Sequence, residues 1–189
     1  MPRFRWAVIP LLLVTIGFIA GCAPKPRGAE LAIAMVDTPY LLGSGDKLRI
    51  TVLNQANLSA TYQVDPSGLI TMPLLGPVEA SGRSPFELKG AIEARLRKDY
   101  LREPNVSVEI ESYRPFFILG EVTAAGQYPF VAGMTAEQAV AIAGGYSPRA
   151  YRKQVELSRR DQTGVTSMTV PMTTLIRPGD TVTVKERWF

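Results

Sequence analysis

Histidine is absent from this 189-residue chain and cysteine occurs once. Histidine is the usual general base and the commonest metal ligand near neutral pH. Without it, Ser-His-Asp and Cys-His nucleophile systems and histidine-containing zinc sites are excluded. A lone Cys22 rules out a disulfide within one copy. No apolar run reaches the roughly 20 residues that a membrane-spanning helix needs: the longest, Trp6 to Ala20, is interrupted by Pro10, Thr15 and Gly17. Strong charge of either sign is also missing. The 21 Lys and Arg against 17 Asp and Glu include Arg3 and Arg5 of the apolar leader. No basic run interleaves with aromatics, so nucleic acid is not an expected partner. Carboxylate-only chemistry survives as a formal option, because a glycosidase needs only two acids. Its candidates, Asp46, Asp65, Glu121 and Asp180, all sit where a turn or strand end would leave a solvated acid. No enzyme, metal or cofactor is therefore expected.

What is present begins with the leader. A basic start, an apolar stretch and the small residues Ile19-Ala20-Gly21 before Cys22 describe a secretory signal peptide over residues 1–21. The ending resembles a bacterial lipobox, which implies that Cys22 is diacylated and becomes the mature N-terminus. One lipid chain holds a protein only marginally, and a diacylglycerol satisfies the need for two. Residues 22–39 are rich in Pro and Ala and aperiodic, which reads as a flexible tether.

From Tyr40 the pattern becomes that of a folded body, rich in turn residues, with 15 Pro and 16 Gly in the chain. Leu48, Ile50 and Val52 alternate with polar residues, predicting a half-buried strand. Asp65-Pro66-Ser67-Gly68 predicts a turn joining Tyr62-Gln63-Val64 to Leu69–Met72 as a hairpin. Ser84-Pro85-Phe86-Glu87 announces a helix by its capping box and its Pro at the first helical position. Leu88, Ile92, Leu96 and Tyr100 then form its apolar stripe, and Val106–Ile110 predicts another strand. A boundary is expected near Tyr113-Arg114-Pro115. Beyond it, Phe116–Val122 reads as a buried strand paired with Gly126–Phe130, and Thr135-Ala136-Glu137-Gln138 opens a second helix that Gly144-Gly145 ends. Residues 155–158, 167–170 and 181–184 predict further strands. The expected fold is α+β: two small strand-rich modules, 40–113 and 114–189, each with one main helix, the second β-grasp-like.

Several phrases of this body resemble the outer-membrane polysaccharide export family. Tyr40, Leu42, Gly43, Gly45 and Asp46 match its opening phrase, and Val64, Asp65, Gly68, Ile70, Pro73 and Gly76 match a second in register. Gly120-Glu121-Val122, Gly126, Tyr128, Pro129 and Ala143-Gly144-Gly145 resemble its SLBB module, a soluble-ligand-binding β-grasp unit. The resemblance implies a short-class member without a C-terminal membrane helix. Its expected site is the outer membrane, periplasmic face, held there by lipid. It further implies a homo-oligomeric ring that conducts secreted polysaccharide, working with an inner-membrane co-polymerase or chain-length regulator. Tyr146, Arg149, Tyr151 and Arg152 are the candidate ligand contacts, with a solvated loop as their bland alternative. The rival reading of the whole is a periplasm-facing ligand-binding lipoprotein without a transport role.

Overall fold

The alternating apolar residues after Asp46 build β1 (Lys47–Val52), which buries Leu48, Ile50 and Val52 and exposes the residues between. A computed structural model describes residues 39–161 and 164–188. The signal segment, Cys22 and nearly all of the tether lie outside the described residues. β2 (Ala60–Gln63) and β5 (Val106–Ser112) flank β1, both antiparallel to it. β3 (Leu69–Met72) and β4 (Gly76–Glu79) form a separate two-stranded ladder.

The expected hairpin between residues 62–64 and 69–72 is thus corrected. The turn itself forms, with the Gly68 N–H donating to the Asp65 carbonyl at 2.9 Å and the Leu69 N–H to the Asp65 carboxylate at 2.9 Å. Its flanking strands then diverge, because β1 already occupies β2 while Ile70 and Met72 are buried with Val78 of β4. A four-residue turn reverses the chain but does not choose its neighbours; burial of apolar side chains does.

Helix α1 (Pro85–Asp99) starts at the predicted capping box: Ser84 accepts from the Glu87 N–H, and Glu87 accepts from the Ser84 N–H. Leu88, Ile92 and Leu96 are fully buried against the sheet. Each such side chain contributes roughly 1.5–3 kcal/mol. Tyr100, expected as the fourth member of the stripe, is exposed instead. The helix has ended at Asp99, and the Tyr100 hydroxyl donates to the Leu74 carbonyl.

The second half carries β6 (Phe116–Gly120), β7 (Gly126–Tyr128), α2 (Ala136–Ile142), β8 (Gln154–Asp161), β9 (Gly164–Pro171) and β10 (Thr181–Val184). Their sheet runs β7-β6-β10-β8-β9, with β10 parallel to β6 and every other pair antiparallel. A hairpin, a helix and a parallel return to the first strand give the β-grasp-like order. The first half returns antiparallel instead, so the likeness between the halves stops at element order. Phe116 and Ile118 are buried with Ala136, Ala139 and Val140 of α2, whereas Phe117 and Leu119 are exposed. The strand expected to be buried is therefore half-buried, because only one sheet face is covered.

Each half has its own apolar core, one running from Leu42 to Val106 and the other from Phe116 to Val184. From Pro39 onward the chain nevertheless packs as one unit. No described helix is long and apolar enough to cross a membrane, which says nothing of crossing by strands.

Candidate functional site

Two turns of the same construction precede the central strands of the two sheets. In Gly43-Ser44-Gly45-Asp46, the Asp46 N–H donates to the Gly43 carbonyl at 3.1 Å while the Asp46 carboxylate accepts the Gly43 N–H at 2.8 Å. In Arg177-Pro178-Gly179-Asp180, the Asp180 N–H donates to the Arg177 carbonyl at 3.1 Å and its carboxylate accepts the Arg177 N–H at 2.7 Å. Gly45 and Gly179 stand third in these turns with φ of 98° and 84°, a conformation that strains any residue with a Cβ.

Both carboxylates are buried, 0% and 1% exposed, and both are paired. Asp180 takes two hydrogen bonds from Arg159, from Nε at 2.9 Å and from the terminal nitrogen at 2.7 Å. Asp46 accepts from the Tyr40 hydroxyl at 2.6 Å, from the Arg114 backbone N–H at 2.8 Å and from the Arg114 guanidinium at 3.1 Å, besides Gly43. Four donors fill the roughly four lone-pair sites of a carboxylate. Asp46 therefore has no site left for a substrate proton, and Asp180 is held by three donors, two from Arg159 and one from the Arg177 N–H. The expectation of solvated acids at positions 46 and 180 is corrected. Their turns tuck the side chains back against arginines rather than out to water.

Arg114 joins the two turns. Its Nε donates to the Pro178 carbonyl at 3.1 Å, its terminal nitrogen also reaches the Tyr40 hydroxyl at 2.9 Å, and its guanidinium carbon lies 5.6 Å from the Tyr40 ring centre. A Cβ on Gly43 would stand 2.3 Å from the Arg114 guanidinium, and one on Gly179 would stand 2.9 Å from its Nε. The two glycines are the space the arginine fills. Around it, Tyr40, Tyr113 and Phe130 meet edge to face, with centroid spacings of 5.0 and 5.4 Å. Burial and the hydrogen bond to Asp46 push the Tyr40 phenol far above the ordinary tyrosine range. Burial, and then the neighbouring Arg159, lower Arg177 from its usual value, opposed by Asp180. Arg114, at the expected boundary, thus forms a seam between the two turns.

A second constellation lies after α2. Gly144 and Gly145 turn the chain with φ of 80° and 86°, and their carbonyls accept from the Thr123 hydroxyl and the Thr123 N–H. Tyr146 and Arg152 then stack, the guanidinium carbon 5.4 Å from the ring centre. Arg149 is drawn off to Glu186, and the two form an exposed ion pair that raises Arg149. The Tyr151 N–H donates to the Lys185 carbonyl, and the Arg187 N–H donates to the Arg149 carbonyl. Arg149 and Tyr151 thus lie along Lys185–Arg187, while Tyr146 and Arg152 pair with each other, and the neighbouring Trp188 is 91% exposed. Among the described residues, no three His, Cys, Asp or Glu side chains converge as a metal-ligand set.

The family described as polysaccharide biosynthesis/export protein matches residues 34–111, and the SLBB domain follows over residues 115–171. Together the two matches support a place in the polysaccharide export family. Among its relatives, the exopolysaccharide production protein ExoF of Rhizobium meliloti is 36% identical over 130 residues, covering 62% of this chain and 30% of ExoF. The polysialic acid transport protein KpsD of Escherichia coli is 27% identical over 111 residues, covering 58% of this chain and 20% of KpsD. The EPS I polysaccharide export outer membrane protein EpsA of Ralstonia solanacearum is 27% identical over 184 residues, covering 79% of this chain and 48% of EpsA. The chain spans less than half the length of each of these relatives.

The phrases by which the export family is recognised fall into the frame rather than into a cleft. Tyr40, Gly43, Gly45 and Asp46 build the seam, and Val64 is tied to it by hydrogen bonds of its backbone to Gly45 and Asp46. Gly68 (φ 82°) closes the Asp65 turn, and its carbonyl accepts from the Ala80 and Ser81 N–H groups. Pro73 lies in the exposed β3–β4 turn, and Gly76 opens β4 opposite Met72. Gly120 (φ 84°) lies against the Val184 carbonyl, 2.1 Å from where a Cβ would be. The Glu121 carboxylate accepts the Ser147 hydroxyl at 2.5 Å, and Gly126 opens β7. Arg177 to Val182 also resembles a phrase of the export family, but sequence reading gave no role to Arg114 and did not pair Arg159 with Asp180. A signal for the likeness of the two turns was present: Gly-Asp stands directly before an alternating apolar strand at both 45–46 and 179–180.

Proposed function

We propose that this export-family chain is a lipid-anchored component of an exopolysaccharide or capsule export complex. It works on the periplasmic face of the outer membrane, as part of a homo-oligomeric conduit for the polymer. The observation that carries this reading is the consecutive match of the export and SLBB sequences along one body, with relatives named for polysaccharide production, transport and export. The buried acids fit it too, since both are occupied in holding the frame and a conduit needs no catalytic group.

In this reading residues 1–21 are removed, Cys22 carries the lipid, and 22–39 span from the membrane to the body. The export module is 40–113 and the β-grasp module 114–189. An inner-membrane co-polymerase or chain-length regulator delivers the chain. Polymer passes best over contacts that are many, polar and individually weak, since a tight site would stall transit. The Tyr146–Arg152 surface, with Arg149 and Tyr151 beside it, offers contacts of that kind.

Deleting the gene is expected to abolish secreted polysaccharide while polymer synthesis continues; normal export from the deletion strain would refute the reading. In the same strain, Cys22→Ser is expected to move the protein from the membrane to the soluble fraction. Equal retention in membranes would remove the anchor from the proposal.

A further inference from the structure

The free edges of the sheets are not alike. β2 has four residues, and β7 has three and runs into Pro129; short strands and proline are the usual ways of blunting an edge. β5 carries Glu109 and Glu111 along its seven residues. β9 has eight residues, Gly164–Pro171, none of them charged, and β8 pairs with it on one side only. Its side chains are exposed, with only Val170 partly covered, and Val165 is 62% exposed. An uncharged edge of this length is a template for another strand.

The best complement on the molecule is the outer edge of β5 beyond Val106, whose own N–H already donates to Glu93 of α1 at 3.2 Å. Beside it lies a groove of about 410 Å³ lined by Phe86, Lys89 and Asn105 to Val108. Phe86, near the start of α1, projects there 81% exposed. We infer that β9 of one copy adds to the free edge of β5 in a second copy, the backbones pairing and an apolar side chain of β9 entering the groove. This is strand addition, in which main-chain bonds give affinity and side-chain pockets give specificity.

Three observations select this partner. The edges are close in length, Ser107–Ser112 of β5 against the stretch of β9 that precedes Pro171. β9 and β5 belong to different sheets of one chain, so a second copy supplies the partner edge. The faces also agree. Met168 lies opposite the buried Leu157, on the helix side of its sheet, as Phe86 and Val108 lie on the helix side of theirs. With the helix sides aligned, Arg160 of β8, paired with Val165, falls on the face that carries Glu109 and Glu111. Pairing β9 with β9 would instead leave the groove empty and the two glutamates unmatched. Contact between unlike surfaces propagates from copy to copy and closes into a ring when the rotation permits. The inference rests on the oligomeric reading above and supplies its interface.

The test uses the full chain in mild detergent. Ser107→Cys combined with Ser167→Cys, and Ser107→Cys with Thr169→Cys, are oxidised and separated without reductant. The unaltered chain with Cys22 and each single variant serve as blanks. At least one double variant is expected to give a ladder of dimer, trimer and higher species that no blank gives. Met168→Lys is expected to weaken assembly by about tenfold or more, as loss of a central apolar anchor does, while leaving the unfolding midpoint unchanged. Dimers alone from Ser167→Cys would overturn the inference in favour of like-edge pairing. If light scattering shows multimers but neither double variant ladders, the ring stands and this interface falls. A monomer by light scattering overturns both.

Discussion

Replacing Arg114 with methionine tests whether the seam holds the molecule together. The Asp46 carboxylate is 0% exposed and the Arg114 side chain 26%. Removing one partner of a buried pair costs about 3–5 kcal/mol, because the remaining charge stays desolvated and unmatched. Two features put this case at the low end. Arg114 is a quarter exposed, so water can take part of its place. Asp46 also keeps the Tyr40 hydroxyl, the Gly43 N–H and the backbone N–H of residue 114. The loss of the Pro178 hydrogen bond adds to the cost. A net destabilisation of about 3 kcal/mol results, and for a chain of this size that lowers the melting temperature by about 6–12 °C. Asp46→Asn removes the charge but keeps the shape. The double variant Asp46→Asn with Arg114→Met should therefore be less destabilised than the sum of the singles by about 1–2 kcal/mol. Equilibrium denaturation followed by circular dichroism, with calorimetry, reads all four corners of the cycle. An Arg114→Met protein that melts within about 2 °C of the parent would refute the argument, as would strict additivity. Neither can occur if Asp46 depends on the guanidinium.

Glycine-to-alanine changes should follow the space each Cβ meets. Gly120→Ala, driven into the Val184 carbonyl of the parallel ladder, is expected to cost most, and Gly179→Ala, pressed on the movable Arg114 side chain, less. Gly76→Ala, with φ of 66° and open space, should cost only the left-handed strain of about 1–2 kcal/mol. Thermal melts that fail to rank in this order would contradict the packing. Tyr40 is held protonated by burial and by the Asp46 carboxylate, so its contribution is whole below the usual tyrosine range near 10 and drains away as pH rises above it. Denaturant midpoints from about pH 8 to about pH 11 should fall less steeply in Tyr40→Phe than in the parent. Tyr62 and Tyr146, both raised chiefly by burial, contribute in the same direction. An unchanged slope would mean that Tyr40 titrates in the open.

Local signals were read well because their physics is local. The capping boxes at Ser84 and Thr135 satisfy helix N–H groups from side chains three residues away, so four consecutive letters suffice. Alternation in Leu48, Ile50 and Val52 is likewise a property of one strand. The turn at Asp65 does not make a hairpin because a turn motif does not record which strand already has a neighbour. Tyr100 continues the apolar period of the helix in sequence but stands one residue past the point where the helix stops. The acids at 46 and 180 looked solvated because the arginines that bury them stand 68 residues later and 21 residues earlier.

By itself the sequence determined the absence of histidine chemistry, the signal-like leader ending at Cys22, the α+β element order and the export-family likeness. These follow from composition and from patterns within a few residues. Only the tertiary structure decided that Arg114, at the expected boundary, bonds to the turns on both sides of it. It also decided that both Gly-Asp phrases are paired turns packed on one arginine, and that β9 alone among the described edges is long and unguarded. Such facts depend on contacts between residues far apart in the chain, where burial and charge pairing, not local propensity, choose the partner.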